Sequence, residues 1–191
     1  MTRLGEIIES NTNEFITQCY DLYSAPPLGT IVKASQSDSV FGIVSYSQTL
    51  GLDPTRRPIP RGKDLDDESE IYSANPQLNQ LLTTEFKSII VGHHYQGEIK
   101  LFLSPTPPKI HSFVNKSSHE DIIKFSQHIE FLEPIINSNQ PQSDDIVVSF
   151  IKYAYDEIND NRFIKESSRK LASMLKHDTY RLNSILRKLK L

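Results

Sequence analysis

The chain has 191 residues, 37% hydrophobic and 24% charged, with a formal net charge of −3. That length holds one ordinary domain or two small ones, and so small a charge assigns no partner by itself. Cys19 is the only cysteine, which excludes an intrachain disulfide and argues against a structural zinc site.

The N-terminal part reads as strands. Residues 5–9 carry the β-branched pair Ile7 and Ile8, and in residues 14–20 Phe15, Thr17 and Cys19 alternate with Ile16, Gln18 and Tyr20, so one face can be buried. Ala25-Pro26-Pro27-Leu28-Gly29 is a turn, because each proline fixes φ and lacks an N–H. Strands follow at 30–33 and 40–47, with Gly42 placed for a bend or bulge. Residues 50–70 are irregular and long for a compact-domain connection. Leu78, Leu81, Leu82 and Phe86 then fall at helical spacing, which predicts an amphipathic helix over 77–87. Further strands are expected at 88–94, 99–103 and 110–114.

Beyond residue 116 the apolar period lengthens from 2 to about 3.6. Ser118 with Asp121 forms a capping box, followed by Ile122, Phe125, Ile129 and Leu132. Ser143 or Asp144 caps a second helix, Asp160 precedes a third, and Asp178 begins a last one. The expected fold class is therefore α+β. Residues 1–116 form a small antiparallel β-domain with a long 50–87 insertion, and 117–191 a bundle of about four short helices.

Charge is unevenly placed. Arg56, Arg57, Arg61 and Lys63 lie around Pro58 and Pro60, directly before the acidic residues Asp64, Asp66, Asp67, Glu68 and Glu70. Prolines preorganise the guanidinium forks for carboxylate or phosphate. The competing reading is that these cations pair with the acids beside them. A phosphate-loop reading of Gly62-Lys63 fails, since Arg57 stands where that motif needs glycine and Asp64 where it needs Ser or Thr. Arg181, Arg187, Lys188 and Lys190 make the C-terminal helix basic. They are candidate phosphate contacts or simple complements to the helix dipole.

His93 and His94 are strand neighbours that face opposite ways and do not share a metal easily. His111, His119, His128 and His177 lack a partner at metal-ligand spacing. Cys19 reads as a buried, inert thiol. No complete catalytic or nucleotide-binding motif is present, and neither a cofactor nor a metal is expected. No apolar run approaches the roughly 20 residues of a membrane span. Glu6 and Glu9 also occupy the place of a signal peptide's apolar centre. A cytoplasmic protein without membrane insertion is expected.

Residues 12–45, with the turn at 25–29 and the strand end Phe41-Gly42-Ile43-Val44, resemble the opening of the small HAS β-barrel. That barrel begins HerA-type DNA translocases and the catalytic subunits of rotary ATP synthases. The whole chain is similar to the stand-alone HAS-barrel proteins of cyanobacteria and related bacteria, through the 52–62 loop, Asn75-Pro76-Gln77-Leu78 and Ile110-His111-Ser112-Phe113-Val114. The resemblance implies a HAS-like barrel with an inserted helix, no motor domain, and a role in assembly rather than chemistry. Two functions follow as expectations. One is a non-catalytic protein-interaction or assembly module with a protein partner or a second copy. The other is a nucleic-acid-binding accessory beside a HerA-like translocase.

Overall fold

A computed structural model describes residues 3–35, 39–53, 55, 57–138, 140 and 142–189. Arg56 and Lys190, singled out above, lie outside the described residues.

Seven strands form one sheet: β1 (Arg3–Ser10), β2 (Glu14–Cys19), β3 (Ile31–Ser35), β4 (Val40–Gly51), β5 (Leu82–Tyr95), β6 (Glu98–Lys100) and β7 (Phe113–Lys116). Their order is β2-β1-β7-β3-β4-β5-β6, with an additional β2–β5 pairing. Each pairing is antiparallel. β1 turns into β2 through Asn11, whose side-chain oxygen accepts from the amides of Asn13 and Glu14 at 2.8 and 3.0 Å. Phe15, Thr17 and Cys19 are buried in alternation, as their spacing predicts. The ladder slips between Phe41 and Gly42, the bulge expected at that glycine.

Two expectations are corrected. The 77–87 helix is instead a single helical turn, α2 (Leu78–Leu81), after which β5 begins at Leu82. Thr83 and Thr84 are β-branched and favour the extended backbone, and Thr84, Phe86, Ser88 and Ile90 then bury one face at period 2. The HAS-like barrel is also corrected. The sheet curls, but it ends on β6, which among the described residues is paired with β5 alone. β4 and β5 also run on past their other partners as a two-stranded ribbon, from Thr49 opposite Thr84 to Gly51 opposite Leu82. β5 is shared: residues 85–89 pair with β2, while residues 93–95 carry the short β6, whose outer edge is open among the described residues.

The helices are α1 (Ser69–Ala74) and α2 in the ribbon's connection. The C-terminal part holds α3 (His119–Gln127), a 3-10 turn (Ile129–Leu132), α4 (Glu133–Ile136), α5 (Ser143–Ile158), α6 (Asn161–Met174) and α7 (Thr179–Lys188). The capping box forms as expected, with Ser118 and Asp121 exchanging bonds at the start of α3. Asp160 and Asp178 cap α6 and α7 by accepting from the amides of Arg162 and Arg181. Ser143 and Asp144 do not cap α5, because they are its first two helical residues and Gln142 holds the cap position; Arg181 engages both of their side chains.

Two apolar clusters flank the sheet. One is closed by strands and holds Ile7, Phe15, Val32, Val44, Phe86 and Val114. The other joins Ile31, Phe41, Ile43 and Val91 to the helices. An edge-to-face series, Phe41–Phe125–Phe131–Phe150, crosses from β4 to α5 at centroid spacings of 5.2, 5.1 and 5.2 Å. The proline turn joins the same contact. Gly29 has φ +81°, and a side chain there would meet the Phe150 amide nitrogen at 2.4 Å. Only glycine satisfies both demands.

Candidate functional site

The Arg-Pro loop leaves the end of the ribbon, where the Leu52 amide donates to the Leu81 carbonyl at 2.8 Å. Residues 57–61 have no regular secondary structure, and all are exposed. The loop is fixed at its far end. An Arg61 guanidinium N–H donates to the Asn75 side chain at 2.9 Å, and Gly62 sits against Ile71, where a side chain would come within 2.7 Å.

Among the described residues, neither Arg57 nor Lys63 forms an ion pair or a side-chain hydrogen bond. The adjacent acids are not their partners. Asp67 accepts from the Ser69 amide at 2.9 Å, before α1, and that bond holds its carboxyl below the ordinary value. Between the cations, Ile59 is 69% exposed.

The tail cations are placed differently. Arg181 is half-buried and donates to Asp144 at 2.7 Å, to the Ile136 carbonyl at 2.7 Å and to the Ser143 hydroxyl at 3.1 Å. Lys188 meets Asp145 at 2.5 Å. Both stitch α7 to α5. Arg187 has no side-chain partner among the described residues.

A groove of about 1250 Å³ opens where β5 parts from β2 and takes up β6. Ile89, Ile90 and Val91 line it from β5, and Leu101, Phe102 and Leu103 from the segment after β6. Phe131, Glu133, Pro134 and Ile135 line it from the 3-10 turn and α4. Three carboxylates reach it. Glu14 pairs with Lys87 at 3.0 Å and Glu130 with Lys170 at 3.0 Å. Burial pushes Glu130 up, but its own amide and the Lys170 bond and charge outweigh this and hold it below the ordinary carboxylate value. Glu133, exposed at the start of α4, has no cation partner among the described residues. Sequence reasoning misses the groove, since it gathers residues 11–14, 89–91, 101–103 and 128–140 with no local signature.

The histidines diverge as strand alternation requires. His93 Nδ1 lies 3.2 Å from the Phe102 carbonyl, while His94 packs edge-on against Phe41 at 5.2 Å. Burial, then the Lys33 charge, pulls His94 below its ordinary value, and its buried Nε2 has no hydrogen-bond partner among the described residues. On the surface, the Glu6 carboxylate accepts from the Tyr20 hydroxyl at 2.8 Å and pairs with His111 Nδ1 at 3.0 Å. Cys19 is buried, and burial raises its thiol pKa. Among the described residues, no group of three or more His, Cys, Asp or Glu is arranged to hold a metal ion. No helix among them is long and apolar enough to cross a membrane.

No protein-family model matches the chain, and no curated protein matches it. The resemblance to HAS-barrel, HerA-type and ATP-synthase proteins is corrected on that finding together with the open-edged sheet. The similarity rested on short strand-turn-strand patterns, and many folds satisfy such patterns.

Proposed function

We propose that this protein is a non-catalytic protein-interaction module that presents residues 57–63 to an acidic surface on a partner protein. One observation carries the reading. Arg57 and Lys63 stay exposed and unpaired among the described residues, although a run of acids follows them directly. Pro58 and Pro60 fix φ, which lowers the entropy lost when the segment is immobilised. The guanidinium fork then gives directional bonds to carboxylates, and Ile59 adds apolar area between the charges.

The second reading is a nucleic-acid accessory, in which the same cations contact phosphates. It draws less from the tail than the sequence suggests, because Arg181 and Lys188 are occupied by Asp144 and Asp145.

A pull-down of the tagged protein from its native lysate, with and without nuclease, tests both readings beside an Arg57/Arg61/Lys63→Ala variant. The interaction module predicts a stoichiometric protein that survives nuclease and is lost with the variant. Recovery of nucleic acid, with every partner lost on nuclease treatment, overturns it in favour of the accessory.

A further inference from the structure

We infer that the groove beside β5 is the receptor for the Arg57–Arg61 segment of a second copy of this chain. The inference rests on the reading of that segment as an interaction element and names its acidic counterpart. Two surfaces each carry a charge with no counter-charge among the described residues, Arg57 on the loop and Glu133 in the groove, and they are complementary. The segment Arg57-Pro58-Ile59-Pro60-Arg61 is exposed, cationic and without regular secondary structure, with Ile59 between its charges. The groove has an apolar floor at Ile89–Val91 and an apolar wall at Phe102, Leu103 and Pro134. Its carboxylates are Glu14, Glu130 and Glu133. Proline-rich extended segments dock in grooves lined by aromatic residues because little chain entropy remains to be lost. Phe102, 63% exposed, and Phe131 supply the rings.

The two surfaces do not meet within one copy. At about 3.3 Å per residue, roughly 23 Å of β5 separates Leu82, at the ribbon's end, from Ile89 on the groove floor. The chain from Leu52 to Arg57 spans at most about 18 Å. The other end of the segment is held to α1 within the same arm by the Arg61–Asn75 bond and the Gly62–Ile71 contact, and none of residues 57–61 lines the groove. The occupant therefore comes from another molecule. Glu133 has no cation partner among the described residues and would take one guanidinium. Glu130, already paired with Lys170 at 3.0 Å, would share its carboxylate with the second.

The test combines a labelled peptide with complementary variants of the full chain. A fluorescein-labelled peptide of residues 55–63 is titrated into the Arg57/Arg61→Ala protein, whose own segment is disabled, and anisotropy is followed. Saturable binding is expected, weaker at higher salt, and about tenfold weaker in an added Glu133→Lys. Leu103→Arg, an exposed apolar-wall change, should act likewise and serves if the glutamate variant fails to fold by circular dichroism. Sedimentation completes the test. The wild type should associate with rising concentration, while Arg57/Arg61→Ala and Glu133→Lys should each stay monomeric. An equimolar mixture of the two variants should recover a two-chain species, since one supplies the segment and the other the groove. A wild type that remains monomeric, or variants that associate as it does, overturns the inference. Neither result touches the lysate experiment, where a foreign partner lost with the loop variant would keep the interaction reading without self-recognition.

Discussion

The centre of the sheet and the arm that leaves it are stabilised by different physics. Strands β3, β4 and β5 place Val32, Val44 and Phe86 in one apolar cluster and Ile31, Phe41 and Val91 in the other, so they are buried on both faces. The arm from Leu52 to Leu81 contains no buried residue among those described. Single contacts hold it: Arg61 to Asn75, Gly62 against Ile71, and Tyr23, whose hydroxyl meets that of Tyr72. Apolar area fixes the first region and makes it intolerant of change. The second gains little from burial, so its cations are retained in solvent at small cost. Arm substitutions should alter recognition, and centre substitutions should alter stability.

Phe41→Ala is the strongest test of that division. Phe41 is fully buried and opens the ring series into the helices, so a loss of about 3–5 kcal/mol is expected in urea unfolding. A loss below about 1 kcal/mol would show that the two-faced packing is not what holds the sheet. Arg181→Ala should cost less, about 1.5–3 kcal/mol, by leaving Asp144, Ser143 and the Ile136 carbonyl without their donor. Arg181→Lys should not restore it, because an ammonium does not reproduce the forked geometry.

A pH-confined effect comes next. His94 is pulled below its ordinary value of 6.5 by burial and then by the Lys33 charge. Lys124 adds to this and Asp121 opposes it. The folded state therefore resists protonation more than the unfolded chain does. This contribution is fully present above about pH 6.5 and is lost as pH falls through the unfolded value toward the folded one. The difference in stability between wild type and His94→Gln should shrink across that window in paired unfolding curves, and a constant difference would exclude the linkage. The smallest expected change is that of Arg57/Arg61→Ala, within about 0.5 kcal/mol of wild type. A larger loss would mean that the arm is structural after all.

Local rules were legible in the sequence where the cause is local. The Ser118–Asp121 capping box, the caps at Asp160 and Asp178, the bulge at Gly42 and the alternation of Phe15, Thr17 and Cys19 each depend on a few neighbouring residues. The 77–87 segment misled because Leu78, Leu81, Leu82 and Phe86 fit a helical stripe, whereas pairing with β4 decides its conformation. Ser143 and Asp144 satisfied the rules for a cap, yet the helix starts at Ser143 itself, and a guanidinium almost forty positions later engages both side chains. The groove was invisible for the same reason, since four separated segments build it.

The position of β7 has a consequence for how the chain is made. It lies between β1 and β3, pairing Val114 with Gly5 on one side and with Ala34 on the other. Residues 3–35 therefore leave the ribosome long before the strand that joins them exists. At about 5–20 residues per second, that interval is on the order of 4–16 s. Throughout it, two early strands carry bare edges and the first apolar cluster stays incomplete. A nascent chain stalled before residue 113 should thus be a preferred chaperone client, and release from the chaperone should coincide with synthesis of the segment around Phe113–Lys116.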